Sequence, residues 1–154
     1  MTNLYILDTD HFSLLQRGNL ILTQRINQKK AESLAVTVVT LEEKMKGWLS
    51  SINKCNSEPF KSNNVKNLVW AYKGLADEIE LFKNIRLLYF DNSAYEMYRY
   101  LVMQKLQKIG ARDLRIAAIA QSVNGIVVTR NWKHFEKVPG LLMEDWTIPL
   151  PNEK

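Results

Sequence analysis

Short apolar runs alternate with apolar stripes at helical spacing along the chain. Leu4, Tyr5, Ile6 and Leu7 form a run too short for a helix and bounded by Asp8, which predicts a buried first strand. From about Phe12, residues Leu14, Leu15, Ile21, Leu22 and Ile26 share one side of a helix that Gly18 and Asn19 interrupt. Leu34 to Val39, short and β-branched, predicts a second strand. Met45, Trp48, Leu49 and Ile52 then recur at helical spacing from Leu41, until a polar segment from Asn53 to Asn63 with Pro59 reads as a loop. The clearest helix carries Val65, Leu68, Val69, Tyr72, Leu75, Ala76 and Ile79 up to Phe82, and Ile85 to Phe90 predicts a third strand.

Ser93 reads as the cap of a helix holding Ala94, Met97, Tyr98, Leu101, Val102 and Leu106 and ending before Gly110. The next helix starts near Asp113, and its residues Leu114, Ile116, Ala117, Ala118, Ile119 and Ala120 are too apolar for a surface position. Gly125 opens a strand from Ile126 to Thr129, and Leu141 to Trp146 supplies a last edge strand before a Pro-containing tail. Strands separated by helices predict an α/β fold of three α/β/α layers around a central, mainly parallel five-stranded sheet, joined by right-handed crossovers. There is no internal repeat, so residues 1–147 read as a single domain and 148–154 as a tail.

Composition adds bounds. With 154 residues, 46% hydrophobic and 24% charged, the chain matches a single globular domain and excludes disordered, collagenous and coiled-coil classes. Its one cysteine, Cys55, forms no internal bridge, and a chain of this length needs none to build a core. No window approaches the ~20 apolar residues of a membrane span, and no N-terminal run joins positive charge to a long apolar stretch, so the expected location is cytoplasmic. The 21 Lys and Arg against 16 Asp and Glu leave a net charge of +5, which permits a polyanionic partner without requiring one.

Ligands of an open parallel sheet bind beyond the carboxyl ends of its strands, and the residues expected there are consistently acidic or polar. Asp8 and Asp10 follow the first strand, Thr40, Glu42 and Glu43 the second, and Thr129 and Asn131 the fourth, while Asp113 begins the buried helix. Taken singly, each has a structural explanation. Asp10 reads as the N-cap of the first helix, Thr40 with Glu43 as a capping box, and Asp113 and Asn131 as caps of the helices that follow them. Caps leave unexplained the carboxylate of Asp8, which precedes the expected helix start, and the convergence of so many acids on one edge. Clustered carboxylates raise one another's pKa and cost stability unless a cation joins them. Oxygen ligands without a histidine or cysteine pattern suit Mg²⁺ or Mn²⁺, and such a metal serves phosphodiester hydrolysis. His11, His134 and Cys55 are scattered without zinc spacing, and both histidines are expected to do ordinary packing or surface work.

Four segments resemble PIN-domain ribonucleases and, within them, the VapC toxins of toxin-antitoxin modules: LYILDTDHFSLLQRG, VTVVTLEE, IGARDLRIAAIAQSVNGIVVTRN and HFEKVPGLLMEDW. They run in family order from residue 4 to 146, whereas Asn53 to Tyr89 matches only in being helical. The resemblance implies a PIN-like fold in which Asp8, Glu43 and Asp113 are the metal-binding, catalytic carboxylates. Asn131 stands where many members carry a fourth acid, and Asp10 where relatives have Asp or Asn. Thr129 falls where a hydroxyl supports the site, Thr9 and Thr40 lie beside it, and Arg112 and Arg130 flank the acids as phosphate contacts. The activity implied is that of a Mg²⁺-dependent endoribonuclease, with Mn²⁺ as a substitute, acting on structured RNA such as tRNA. The partners implied are a second copy in a homodimer and a cognate antitoxin. The antitoxin would lie in a groove from the first helices, with Trp48 and Leu49 as anchors if they are not core residues.

Two other readings compete. Asp8, Thr9 and Asp10 imitate the D-x-D of haloacid dehalogenase-like phosphatases, although the lysine and paired acids those enzymes need do not follow. A PIN domain weakened at Asn131 that only binds RNA or a protein is the non-enzymatic alternative.

Overall fold

The computed structural model describes residues 2–57 and 62–151, and in 62–65 the backbone only. Five strands form one sheet in the order β3-β2-β1-β4-β5: β1 (Tyr5–Leu7), β2 (Leu34–Thr37), β3 (Arg86–Leu88), β4 (Ile126–Val128) and β5 (Leu142–Glu144). Every neighbouring pair is parallel, so the sheet is wholly rather than mainly parallel. Its register aligns Ile6 with Ala35 on one side and Val127 on the other.

Strand side chains alternate between two apolar layers, as a period of two requires. Ile6, Ala35 and Val127 pack with Leu101, Leu114 and Ile119 from α5 (Asn92–Met103) and α6 (Ala111–Ser122). Leu7, Val36 and Val128 face the other way, onto Phe12 of α1 (Thr9–Gln16), Leu22 of α2 (Leu20–Asn27), Phe82 of α4 (Ser62–Phe82) and Trp146. Gly125 sits where a Cβ would come within 2.6 Å of Ile6 Cδ1, so its lack of a side chain lets β4 close on β1. Helix α3 (Val38–Asn56) packs along α4, and α7 (Trp132–Phe135) is a single turn. Among the described residues, no helix is long and apolar enough to cross a membrane.

Several boundaries differ from expectation. The first helix starts at Thr9 rather than Phe12 and ends where Gly18 takes φ +75°, after which Asn19 caps α2 through Leu22 N–H. The second strand stops at Thr37, two residues early, because Val38 and Val39 begin α3. That helix continues through Asn56, with Ile52 and Cys55 extending its buried side, so the expected loop is helical over its first four residues, and α4 takes in its last two, Ser62 and Asn63. Residues 58–61 of that loop, Pro59 included, the side chain of Val65, and residues 152–154 of the tail lie outside the described residues.

In α4 the inward positions are Ala71, Glu78 and Phe82, with Leu68 and Leu75 half-buried between them. Val69, Tyr72 and Ile79, expected on the buried stripe, are exposed instead. The helix carries two apolar stripes, and the one that turns inward holds Glu78. Asp91, not Ser93, caps α5 by accepting from Ala94 N–H at 2.9 Å. That helix ends at Met103, short of the turn Gln107–Ile109 before Gly110.

Candidate metal-binding site

From the central β1 the chain runs outward through β2 to β3, then returns to β4 on the other side. The crossovers leaving β1 and β4 diverge there, which opens a crevice beyond the carboxyl ends of the two strands. Asp8 directly follows β1, and Thr129 and Asn131 follow β4.

Asp8 is buried, and both of its oxygens are engaged. Its Oδ1 accepts from His11 N–H at 2.8 Å, making Asp8 the N-cap of α1, and its Oδ2 accepts from Thr129 Oγ1 at 2.6 Å. The cap expected at Asp10 is therefore at Asp8, because the helix begins one residue after the strand ends. Asp10 lies in the first turn, where its carboxylate receives Arg130 Nε at 2.6 Å and Nη2 at 3.2 Å. Thr129 Oγ1 accepts in turn from Asn131 N–H at 2.9 Å, tying the loop after β4 to the end of β1.

Glu43 reaches the crevice from α3. Thr37 caps that helix, its Oγ1 accepting from Thr40 N–H at 3.3 Å, so the expected capping box of Thr40 with Glu43 does not form. Thr40 is one turn too far along: it is buried inside the helix with its Oγ1 3.0 Å from Thr9 Oγ1. Burial holds the Glu43 pKa above the usual carboxylate value. Asp113 and Glu42 push the same way, while a hydrogen bond from Thr9 and the Arg112 guanidinium, 3.7 Å away, oppose them.

Asp113 stands in the first turn of α6, whose cap position is Gly110, so it is not a cap. Its Oδ2 accepts from Asn131 Nδ2 at 3.1 Å and lies 3.0 Å from His134 Nδ1. Asn131 occupies the cap position of α7 without making the cap bond, its amide being turned to Asp113 and His134.

One open cavity of about 670 Å³ collects Asp8, Thr9, Asp10, Glu43, Asp113, Arg130 and Asn131, with Ser13 and Arg17. Thr40, Thr129 and Arg112 do not line it and touch it through Thr9, Asp8 and Glu43 respectively. Ser13 and Arg17 went unforeseen, although they follow Thr9 at successive four-residue steps on one face of α1. His134 and the fully buried His11 also went unforeseen; both touch site carboxylates, His134 through the fold and His11 through its place three residues after Asp8. Cys55 takes no part in the cavity.

The donor set fits a hard cation. Four carboxylates face two arginines among the lining residues, and burial raises the pKa of Glu43 among them. Ligand atoms of Asp8, Asp10 and His11 lie within 4.8 Å of one another, so this group could hold a metal ion. Asp10 is half-exposed and its carboxylate is held by Arg130. The same pairing leaves the D-x-D phosphatase reading without a free second aspartate.

No family model matches the chain. It is 26% identical over 147 residues to Ribonuclease VapC1 of Haemophilus influenzae strain R2866, covering 94% of this chain and 98% of that protein. Its fold is similar to VapBC-1 from nontypeable Haemophilus influenzae, with TM-score 0.72, 24% identity and coverage of 94% and 99%. It is also similar to DNA-bound VapBC from Salmonella typhimurium, with TM-score 0.70, 22% identity and coverage of 94% and 98%. Along nearly its whole length the chain is thus similar in sequence to a VapC ribonuclease and in fold to VapBC proteins.

Proposed function

We propose that this protein is a metal-dependent endoribonuclease of the VapC toxin type, hydrolysing phosphodiester bonds of cytoplasmic RNA and held inactive by a cognate antitoxin. The observation that carries the reading is the convergence of Asp8, Glu43, Asp113 and Asn131, from four separate segments, on one cavity at the switch point of the sheet. Local capping accounts for Asp8 alone among them.

Asp8, Glu43 and Asp113 are the residues we assign to hold Mg²⁺ or Mn²⁺, with the Asn131 carbonyl and Asp10 as additional oxygens. Such an ion, when bound, activates water and neutralises charge on the scissile phosphate. The chain's own groups do the rest. Thr129 keeps its proton on Asp8 Oδ2, and Thr9 donates to Glu43 while resting on Thr40, so both carboxylates are fixed before substrate arrives. Arg130 and Arg112, half-exposed at the rim, are placed to exchange their present carboxylate partners for a backbone phosphate. The formal charge of +5 favours approach of a polyanion, and structured RNA such as tRNA is the substrate class we assign.

The antitoxin site we assign is a groove of about 580 Å³ between α1, α3 and α4, lined by Leu15, Lys44, Trp48, Trp70, Glu78 and Leu81. Trp48 is half-buried there, with its Nε1 donating to Glu78 at 2.9 Å, while Leu49 is exposed rather than in the core. The exposed Val69, Tyr72 and Ile79 of α4 are apolar surface of the kind a homodimer covers.

Cleavage of total RNA by the purified, antitoxin-free chain tests the reading. Discrete products that require Mg²⁺ or Mn²⁺, vanish with chelator and are lost in Asp113→Asn are expected. Unchanged cleavage in Asp8→Asn and Asp113→Asn would overturn it.

A further inference from the structure

We propose that His11 is a positioning residue for Asp8, and that through its ring the C-terminal segment at Asp145 fixes the carboxylate facing the cavity. The functional consequence rests on the nuclease reading above; the positional claim rests on geometry alone. His11 is completely buried, and its backbone N–H and ring Nδ1 both approach Asp8 Oδ1, at 2.8 and 3.3 Å. A carboxylate only accepts, so Nδ1 is the donor. With Thr129 Oγ1 on Oδ2, three donors take three of the roughly four acceptor sites a carboxylate offers, and its plane cannot turn without losing one.

The far side of the ring is the informative part. His11 Nε2 is buried without a hydrogen-bond partner and stands 3.6 Å from Asp145 Oδ1. If the site needed only volume, an apolar ring would fill it without leaving a buried nitrogen unpaired. Asp145 is itself tied down by hydrogen bonds. Its Oδ1 accepts from Thr147 N–H at 2.8 Å and Thr147 Oγ1 at 2.6 Å, and the next residue, Trp146, is fully buried with its ring centroid 5.1 Å from that of Tyr5 on β1. The ring thus lies between the acid after β5, 3.6 Å from Nε2, and the acid after β1, to which Nδ1 donates. This places the described residues after β5, none of which lines the cavity, against the group that holds Asp8.

The test uses the full chain with His11→Phe, His11→Asn and Asp145→Asn. Asparagine keeps an amide nitrogen near the position of Nδ1, and Asp145→Asn keeps the oxygen that closes the Thr147 turn. The readouts are the Asp8 carboxyl carbon resonance, the His11 ring nitrogen resonances, Mn²⁺ affinity by calorimetry without RNA, and kcat and KM at saturating metal. His11→Phe is expected to shift the Asp8 resonance, weaken Mn²⁺ about tenfold or more and lower kcat with KM nearly constant. His11→Asn is expected to recover most of each, and Asp145→Asn to shift the His11 Nε2 resonance. Wild-type values in His11→Phe would overturn the proposal, as would equal loss in His11→Asn, or a ¹⁴N coupling of His11 to bound Mn²⁺, which would make it a ligand. If His11→Phe does not fold, His11→Asn and Asp145→Asn decide on the same readouts. A wild-type chain that binds no Mn²⁺ while its Asp8 resonance still depends on His11 would uphold the positioning and overturn the metal reading.

Discussion

Replacing Thr129 by valine removes one hydroxyl from a buried position and changes almost nothing else. Threonine and valine have the same shape, both suit the end of a strand, and the site is fully buried, so no cavity opens and no backbone preference is lost. Two hydrogen bonds disappear: the 2.6 Å donation to Asp8 Oδ2 and the 2.9 Å bond accepted from Asn131 N–H. A bond to a charged group contributes about 1.5–3 kcal/mol and a neutral one about 0.5–1.5 kcal/mol. Asn131 is half-buried, so water recovers part of the second bond, and the expected loss is about 2–4 kcal/mol. At about 2–4 °C per kcal/mol for a chain of this size, the melting temperature of the metal-free protein should fall by roughly 5–15 °C. Urea denaturation followed by circular dichroism measures the loss directly, and Thr129→Ser should retain most of the stability because the hydroxyl remains. A cost below about 1 kcal/mol for valine, with an unchanged denaturant slope, would refute the claim that this hydroxyl holds Asp8.

Glu43→Gln should stabilise the metal-free protein at neutral pH. Burial raises the pKa, so the folded chain holds this proton more tightly than the unfolded one; that stability is present below the unfolded-state value and is lost as pH rises through the folded value. The gain from glutamine should therefore shrink on acidification, and melting curves from pH 4 to 8 that show no gain at neutral pH would refute the assignment. Gly74→Ala should destabilise by about 1–3 kcal/mol, because its Cβ would collide with the Trp48 indole where α3 meets α4; tryptophan fluorescence should report the displacement. Arg130→Ala should leave stability within about 1 kcal/mol, since its pair with Asp10 is half-exposed, yet raise KM for RNA if this guanidinium meets a phosphate. Equal KM values for the mutant and wild-type proteins would remove Arg130 from the substrate contacts.

The sequence made the fold order legible because each strand is a short apolar run and each long helix has its own period. Gly18 and Asn19 also marked the break between α1 and α2, where both a positive φ and a cap are found. Helix starts were misread in a consistent direction. At Asp8, Thr37 and Asp91 the cap directly follows the strand or precedes the expected residue: β2 and β3 end two residues before their apolar runs do, and β1 ends with its run at Leu7 but α1 starts directly behind its cap. The α4 stripe failed for a different reason. Glu78 is buried by Gln16 and Trp48, its oxygens accepting at 2.6 and 2.9 Å, and a carboxylate in an inward row cannot be foreseen from hydrophobicity. The candidate acids were visible as strand-end residues, but His134 was not, because its neighbour Asp113 comes from a distant segment that no periodicity supplies; Asp8 and His11 stand three residues apart at a helix start, and only the Asp145 side of the His11 ring depends on the fold.

At Asp8 one carboxylate both caps α1 and faces the cavity. A carboxylate at an N-cap spends one lone pair on the helix and lies at the positive end of the helix dipole, at the place where a cation site needs an acid. Capping also fixes the side-chain torsion, so the same bond that starts α1 aims the acid. Glu43 and Asp113 lack that support: one sits one and a half turns into α3 and the other in the first turn of α6 with no cap bond of its own. Their positions are held by groups that arrive through tertiary contact, Thr9 and Arg112 for Glu43, Asn131 and His134 for Asp113. A site assembled in this way should lose Glu43 and Asp113 geometry before Asp8 geometry when the fold is loosened. Hydrogen exchange that protects His11 N–H longer than Asn131 N–H would follow from that order, and the reverse order would contradict it.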